Sequence, residues 1–405
     1  MRIVIPNIHA NFMLLMTSSV YIYKFSPAVK HAYLLRYFLE NKDIELCTYL
    51  NDRSFSLFTK GNQTLQKIFQ KCLSPLEYHW ILKKNGIDPK KITLLKGPED
   101  IHHDDIVIAY NICSDSLRDL HKINSFKALC MIHFGGNAKE NAIIDEANIS
   151  CYYNECNLSK TSEIFRRYYS IKRPWVTIPF VYADRFKNIV PFSQRKNKAF
   201  SVGTITYKKH PEFLAVYGDP CDQPIRKLVK DNPDFFERTA DSYSSDYLED
   251  DDVKEIKPND NFIIRIYKRI HNRFNTGHQK KYFSFNMVEK FNEYKMCIVG
   301  EEILGVPGIG YVEGMACGCA YIGLNSPMYR DLGLIPGVHY IAYDGSKEDL
   351  RRVIKYYQAD ENQKELAQIA QTGCEFVRNN FCGNKVAQKL VHDLLSLQKE
   401  WLKIH

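Results

Sequence analysis

The stretch Gly305-Val-Pro-Gly-Ile-Gly-Tyr-Val-Glu-Gly-Met-Ala-Cys-Gly-Cys-Ala-Tyr-Ile-Gly323 decides how the rest of the chain is read. It falls into three pieces. Gly305, Gly308 and Gly310 form a loop whose backbone can come close to a ligand, because no Cβ stands in the way. Tyr311 to Cys317 carries the small and apolar residues of a short, tightly packed helix, and Gly318 fits its left-handed stop. Cys319 to Ile322 reads as a short buried strand. A glycine loop feeding a helix N-terminus offers amides and a positive dipole end, and both favour phosphate. Glu313 falls in the first turn, where its carboxylate can accept hydrogen bonds from vicinal hydroxyls such as those of a ribose. It is expected to stand exposed in an empty cleft. A diphosphate beside a ribose is the nucleotide part of a sugar nucleotide.

The neighbouring segments alternate in the same way. On the N-terminal side, Tyr282 to Phe291 is expected to be helix, and Met296-Cys-Ile-Val-Gly300 a strand that runs into Glu301 and Glu302. On the C-terminal side, Asn325 to Leu332 is expected to loop across the mouth of the site. Val338 to Tyr343 follows as a last strand. Ser346 caps a helix, with Asp349 placed for a capping box. Helices are predicted over Glu361 to Asn380 and Lys385 to Ile404.

Further out, Arg2 to Pro6 reads as a first strand, with Asn7 to Phe12 as the loop at its C-terminal end, the edge where open parallel sheets bind ligands. Lys30 to Asn41 has Tyr33, Leu34, Tyr37 and Phe38 at helical spacing. Strands are predicted at Ile44 to Tyr49, Lys91 to Leu95, Asp105 to Tyr110 and Ala128 to Ile132, and helices up to Leu82 and from Ser114 to Leu120. Strands alternating with helices mean a doubly wound parallel sheet. Asp241 to Asp260 is acidic and poor in apolar residues, which suits a loop. Asn261 to Lys281 then reverses sign: Arg265, Lys268, Arg269, Arg273, Lys280 and Lys281 occur with no acid, and Phe262, Ile263, Ile266, Tyr267, Ile270 and Phe274 recur at helical spacing. The preferred reading is a helix packed on the core with a solvated basic face. The alternative is contact with an anionic membrane surface or a lipid-linked acceptor.

The run Tyr311 to Ile322 resembles the donor-binding signature of GT-B glycosyltransferases of the large group 1 type, in which a Glu, a Met-Ala-Cys-Gly run and a short strand follow one another. The resemblance implies an α/β chain of GT-B architecture: two Rossmann-like doubly wound domains facing across a cleft. Residues 1–190 would be the acceptor-side domain and 198–385 the nucleotide-sugar-binding domain, with an insert at about 236–281. A helix at 386–405 would pack back toward the first domain. Trp175-Val-Thr-Ile-Pro-Phe-Val-Tyr-Ala-Asp-Arg-Phe186 resembles the segment that closes the first domain, and Pro191 to Lys198 reads as a polar, basic linker. In the family a second Glu precedes Glu313; here that position is Gly305, and Glu301 and Glu302 are out of register. The Gly after the next strand, here Gly203, is usually followed by an Arg, here Thr204, and a Lys further on, here Lys209. His133, at the end of the strand through Ile132 and before two glycines, resembles the family's donor-facing histidine. The implied site is therefore His133 as the catalytic residue, with Gly203, Thr204, Lys209, Glu302, Gly308, Gly310, Tyr311, Glu313 and Asn325 on the donor. His9 and Asp115 are further candidates for a base.

Composition sets the outer bounds. At 405 residues the chain is too long for one typical core. Apolar residues at 45% and charged residues at 25% are those of a soluble globular protein. A net charge of +8 suits phosphate-bearing ligands or an anionic surface, and no nucleic-acid-binding motif stands out. The 12 cysteines show no zinc spacing and read as buried thiols of a reducing cytosol. No apolar run is long enough for a spanning helix, and the N-terminus lacks a signal peptide's apolar core. Asp104-Asp105 and Asp250 to Asp252 are discounted as metal-ion pairs. The expectation is a cytoplasmic, metal-independent, hexosyltransferase-like enzyme that needs no cofactor. It would move a sugar from a nucleotide-sugar donor to a glycan or lipid-linked glycan, as in surface polysaccharide synthesis, with peripheral placement at the inner face of the membrane as an added feature. The other readings are a sugar-nucleotide epimerase of the same fold and a non-catalytic nucleotide-sugar-binding protein.

Overall fold

A computed structural model describes residues 1–11, 31–50, 78–83, 85–110, 117–130, 138–161, 173–202, 236–238, 256–257, 259–274, 286–301 and 305–405, with residues 75 and 166 singly. Side chains at 10–11, 138–141, 202, 236–238 and 272–274 are not described. The expectations for Ser114, Asp115, the loop after Ile132 and most of the acidic segment lie outside these residues.

Two parallel sheets organise the chain. The first holds β1 (Arg2–Val4), β2 (Glu45–Thr48), β3 (Thr93–Leu94), β4 (Ile106–Tyr110), β5 (Phe126–Cys130), β6 (Cys151–Asn154) and β7 (Trp175–Thr177), in the order β3-β2-β1-β4-β5-β6-β7. The second holds β8 (Lys196–Val202), β9 (Phe236–Arg238), β10 (Tyr294–Val299), β11 (Ala320–Leu324) and β12 (Ile341–Tyr343), in the order β12-β11-β10-β8-β9. The central strands are apolar almost throughout because helices cover both faces. Ile106, Ile108 and Tyr110 of β4 face one core, and Val107 and Ala109 face the other, as a period of two requires. Lys127 breaks the apolar run of β5. Its Nζ donates to the Ala147 carbonyl at 2.8 Å, and burial lowers its pKa to about 8.

Around the first sheet lie α1 (Ile8–Asn11), α2 (Ala32–Glu40), α3 (Ala138–Glu146) and α4 (Leu158–Thr161). The second half carries α5 (Phe262–Phe274), α6 (Met287–Glu293), α7 (Gly310–Ala316), α8 (Pro327–Asp331), α9 (Lys347–Gln358), α10 (Gln363–Asn380) and α11 (Gly383–Leu402). Val386, Ala387, Leu390 and Leu394 of α11 join the core formed by Ile3, Leu34, Phe38 and Ile106. Gln398 Nε2 donates to the Asp104 carbonyl at 2.8 Å.

Several expectations need correction. Asn325 to Leu332 is not simply a loop: Ser326 accepts from the Met328 amide at 3.2 Å and starts α8, with Pro327 at its first position. β8 begins at Lys196, inside the expected linker. The linker's Arg195 is buried, not solvated: it donates to Asn188 Oδ1 at 2.7 Å, Asn292 Oδ1 at 3.1 Å and the Cys317 carbonyl at 2.8 Å. Ser346 caps α9 through the Asp349 amide at 3.1 Å, yet Asp349 Oδ2 accepts from Asp344 N, so the box does not close on Ser346. The basic helix is the largest departure. Phe262, Ile263, Ile264, Ile266, Tyr267 and Ile270 are all exposed, so α5 is not packed on the core by its apolar side.

Candidate active site between two sheet edges

In an open parallel sheet, ligands bind beyond the carboxyl ends of the strands, where the order reverses direction. In the first sheet that point lies between β1 and β4. In the second it lies between β8 and β10. The chain places its ionisable loop residues at both points.

Beyond β1, Asn7 adopts a left-handed φ of 45° and is buried. Thr48 Oγ1 pins this turn: it donates to the Ile5 carbonyl at 2.7 Å and accepts from the Ile8 amide at 3.3 Å. The turn delivers His9, which is 2% exposed. Its ring meets Tyr78 edge-on at 5.9 Å, and neither ring nitrogen has a hydrogen-bond partner among the described residues. Burial lowers its pKa to about 4, so the imidazole is neutral at pH 7. Further along the sheet lies a second buried group. His31 Nε2 sits 3.2 Å from Glu155 Oε1, and His31 Nδ1 sits 3.3 Å from the Tyr110 hydroxyl, which accepts from Tyr153 at 3.1 Å. Glu155 and Tyr110 mark the carboxyl ends of β6 and β4, so this network lies along the same edge.

At the second switch point, β10 leads through Glu301 into the Gly305 loop and α7. Gly305 takes φ 73° with open space where a Cβ would be. All seven residues of α7 are buried. Glu313, expected to be exposed, is buried in its first turn. No side-chain hydrogen bond holds its carboxylate among the described residues, and Arg185 gives the one favourable charge interaction resolved there. Desolvation outweighs Arg185 and raises the Glu313 pKa to about 7. The Tyr311 amide, expected to face a phosphate, donates to the Gly308 carbonyl at 3.1 Å. The Tyr311 side chain is fully buried, its hydroxyl without a hydrogen-bond partner among the described residues and its ring 6.5 Å from Phe180. Asn325 lies on the same edge, beyond β11, where its Oδ1 accepts from Arg330 at 2.6 Å. Gly308, Gly310, Tyr311, Glu313 and Asn325 are thus brought to one sheet edge. His133, Gly203, Thr204, Lys209 and Glu302 lie outside the described residues.

Glu301 was not singled out by the sequence, and its part here is structural. Its Oε1 accepts from the Leu324 amide at 2.9 Å and the Tyr329 hydroxyl at 3.0 Å. Tyr329 and Tyr321 share a hydrogen bond of 2.5 Å, and Tyr321 reaches the Val299 carbonyl at 3.3 Å. The carboxylate therefore ties the ends of β10 and β11 to α8 beneath the Gly305 loop. No spacing rule announces such a group, because its partners come from two other elements, β11 and α8.

The two edges face each other. Val306 and Met328, from the second half, belong to the apolar cluster of Val4, Tyr49, Cys156 and Leu158. Lys160 of α4 pairs with Asp331 of α8 at 2.6 Å. The Tyr311 hydroxyl lies close enough to Glu155 to feel its charge. Among the described residues, one cluster has metal-ligating atoms within 4.8 Å of one another: His102, Asp104 and Asp105. It sits at the opposite edge of the first sheet, where Arg2 lies 3.6 Å from Asp105 and 2.6 Å from His102. A guanidinium already fills the role a cation would take there.

Two doubly wound sheets opposed at their switch-point edges define the GT-B glycosyltransferase fold, and this chain has it. Sucrose-phosphate synthase from Thermosynechococcus elongatus aligns over 98% of both chains with a TM-score of 0.53 and 11% identity. The Anabaena protein HepE, in complex with UDP and glucose, aligns over 98% of this chain and all (100%) of its own, with a TM-score of 0.54 and 12% identity. A glycosyltransferase from Rickettsia africae aligns over 98% of both chains, with a TM-score of 0.52 and 13% identity. At such identities the likeness carries the fold and not the substrates. The sequence itself matches no protein-family model and no curated protein.

Proposed function

We propose that the protein is a glycosyltransferase that moves a sugar from a nucleotide-sugar donor to a glycan or lipid-linked glycan, as in polysaccharide synthesis. The carrying observation is Glu313: a carboxylate buried at the second sheet's ligand edge without a hydrogen-bond donor among the described residues, opposite the first sheet's ligand edge. Vicinal ribose hydroxyls supply the donors it lacks, and charge-assisted hydrogen bonds are the strong kind. In this reading Gly203, Thr204 and Lys209 take the diphosphate, and Glu302 and His133 face the donor sugar. Positive side chains and amides stabilise the charge on the leaving nucleotide without a metal ion.

His9 completes the acceptor side. A neutral imidazole with an unengaged nitrogen can take the proton of an acceptor hydroxyl. As that oxygen bonds to the sugar's anomeric carbon, the carbon–oxygen bond to the phosphate breaks and the nucleotide leaves with the electron pair. Displacement of this kind inverts the anomeric centre. His9→Gln is then expected to lower kcat by about 10²- to 10⁴-fold with little change in donor affinity. Near wild-type turnover would remove the base from His9.

The test of the central reading is donor binding. UDP-, GDP-, CMP- and dTDP-sugars are screened by thermal shift, UDP-glucose first because HepE is seen with it. A ligand held only by the folded state raises the melting temperature. Glu313→Ala should weaken the responding donor by about 1.5–3 kcal/mol in calorimetry. Unchanged affinity would overturn the assignment. Release of nucleotide that depends on an acceptor separates a transferase from a binding protein, and a sugar nucleotide returned as its epimer would mark the epimerase instead.

A further inference from the structure

We propose that Tyr311 and Glu155 together hold one hydroxyl of the transferred sugar, so that the protein selects a neutral, hydroxyl-bearing sugar over a uronate. This rests on the donor reading above and adds the residues that choose the sugar. The two side chains come from opposite edges. Tyr311 stands in the first turn of α7, directly after Gly308 and Gly310, and Glu155 follows β6. Asn154 Oδ1 accepts from the Glu155 amide at 2.7 Å and fixes the turn that leaves the strand. Both side chains are buried, and each lies within reach of the other's charge. Burial and the Glu155 carboxylate both keep the Tyr311 phenol protonated, so it remains a donor. Among the described residues its hydroxyl nevertheless has no hydrogen-bond partner, Glu155 included. Buried polar groups are nearly always paired, and an exception asks for the group that satisfies it.

The chemistry of the pair selects that group. Tyr153 donates to the Tyr110 oxygen at 3.1 Å, which lies 3.3 Å from His31 Nδ1, and His31 Nε2 lies 3.2 Å from Glu155 Oε1. This chain of polar groups ends on the carboxylate. An ionised carboxylate only accepts, and it can take about four hydrogen bonds, so a further donor fits beside the partners it has in the free protein. A group that accepts from Tyr311 and donates to Glu155 joins the two. A hydroxyl does both, whereas a carboxylate lacks the proton and an ammonium lacks the lone pair. Position says whose hydroxyl it is. In the donor reading the leaving phosphate lies at the loop before Tyr311, and the acceptor edge lies at Glu155, so the ring that passes between them is the transferred sugar. A uronate would bring a second negative charge beside Glu155 in a low-dielectric place, where like charges repel strongly. The Tyr311 hydroxyl is sealed from solvent, so the donor enters while the halves are apart. Its ring is enclosed when Val306 and Met328 meet the first half.

The experiment is calorimetry of the full chain with UDP, UDP-glucose and UDP-glucuronate. If guanine is the base that responds in the thermal-shift screen, GDP, GDP-mannose and GDP-mannuronate replace them. The variants are Tyr311→Phe, Glu155→Gln and the two combined. Wild type is expected to bind the neutral sugar nucleotide about tenfold or more above the uronate, and Glu155→Gln should narrow that gap. Tyr311→Phe should weaken the neutral sugar nucleotide by about 3- to 10-fold and Glu155→Gln by about tenfold or more, with the nucleoside diphosphate unchanged. The combined variant should lose less than the product of the two losses, because one sugar hydroxyl serves both groups. Sugar-nucleotide affinity that neither variant alters overturns the proposal, as does a uronate bound as tightly as the neutral sugar. Equal losses for the diphosphate and the sugar nucleotide overturn it in favour of a water between the two side chains. A ligand-free arm covers the case in which Glu155→Gln does not fold. Tyr311→Phe removes an unsatisfied hydroxyl, so it should be at least as stable as wild type in urea unfolding. A less stable Tyr311→Phe means that the hydroxyl is already satisfied, and the proposal falls. Diphosphate binding without discrimination between the sugars leaves the donor site standing and removes this proposal alone, whereas no binding of any nucleoside diphosphate removes both.

Discussion

Glu313 and His9 are buried ionisable groups, and burial moves them in opposite directions. Glu313 titrates near pH 7 when folded, against an ordinary carboxyl value of 4.5. Below pH 4.5 it is neutral in both states and costs nothing. As pH rises toward 7 the unfolded chain sheds the proton first, so the folded state loses stability, by on the order of 3 kcal/mol in all. Glu313→Gln is neutral throughout. It should match wild type near pH 4.5 and exceed it at pH 8 by up to about that amount in urea unfolding. A less stable variant at pH 8 would mean that Arg185 outweighs the desolvation of the carboxylate in the free protein. His9 is held neutral down to about pH 4, against an ordinary 6.5. Its contribution is present above pH 6.5 and is lost as pH falls through 4, because the unfolded chain takes up the proton first. His9→Gln should therefore flatten the acid side of the stability curve between these values. An unchanged acid slope would mean that the ring titrates in the folded protein as it does in the unfolded chain. Neither residue's burial could be read from the sequence. A glutamate in a first helical turn and a histidine after a first strand are exposed in most contexts, and here opposing elements cover them.

At the scale of the element, α7 shows why the glycines of its signature have separate causes. Gly318 takes the left-handed φ of 82° that ends the helix. Gly314 is a packing residue: a Cβ there would lie 2.5 Å from Cys297 Sγ and 3.2 Å from a Phe291 ring carbon. Gly314→Ala should destabilise the fold by about 1–3 kcal/mol through overpacking against β10. Adding Cys297→Ala removes the clashing sulfur, so the double variant should lose less than the two single losses combined. Strict additivity in urea unfolding would place the strain elsewhere. The far end of α7 is held by cations: Arg378 donates to the Ala316 carbonyl at 2.6 Å and Arg195 to the Cys317 carbonyl at 2.8 Å. Both complement the negative end of the helix dipole. The signature's own residues announce the helix and its stop, but its two arginine caps come from residues 195 and 378, and no local pattern names them.

At the scale of the molecule, the last helix belongs to the first sheet. Leu390 is fully buried in the core of Ile3, Leu34 and Phe126, although it lies near the end of a chain whose preceding sheet is the other one. Leu390→Ala should cost about 2–5 kcal/mol. Hydrogen exchange would locate the damage: faster exchange is expected in α2, β1 and β5, with β10 and β11 little changed. Loss of protection confined to the second sheet would contradict this packing. The same return of the chain holds the halves together at a second place besides the Val306 and Met328 contacts, so the two ligand edges stay opposed.

By itself the sequence determined much of the alternation of strand and helix in both halves, the glycine loop with its helix and stop, and the sheet edge where Gly308, Gly310, Tyr311, Glu313 and Asn325 fall. These depend on neighbours a few places apart, where residue type and spacing act directly on backbone geometry and local caps. Only the tertiary structure decided that Glu313 and His9 are buried, that Glu301 serves as a tie, that Arg195 leaves the solvent, and that α5 turns its apolar side outward. Each of those rests on whether a distant segment arrives to cover a side chain. Burial is a property of that arrival, and a periodic pattern states which face is apolar without stating what, if anything, packs on it.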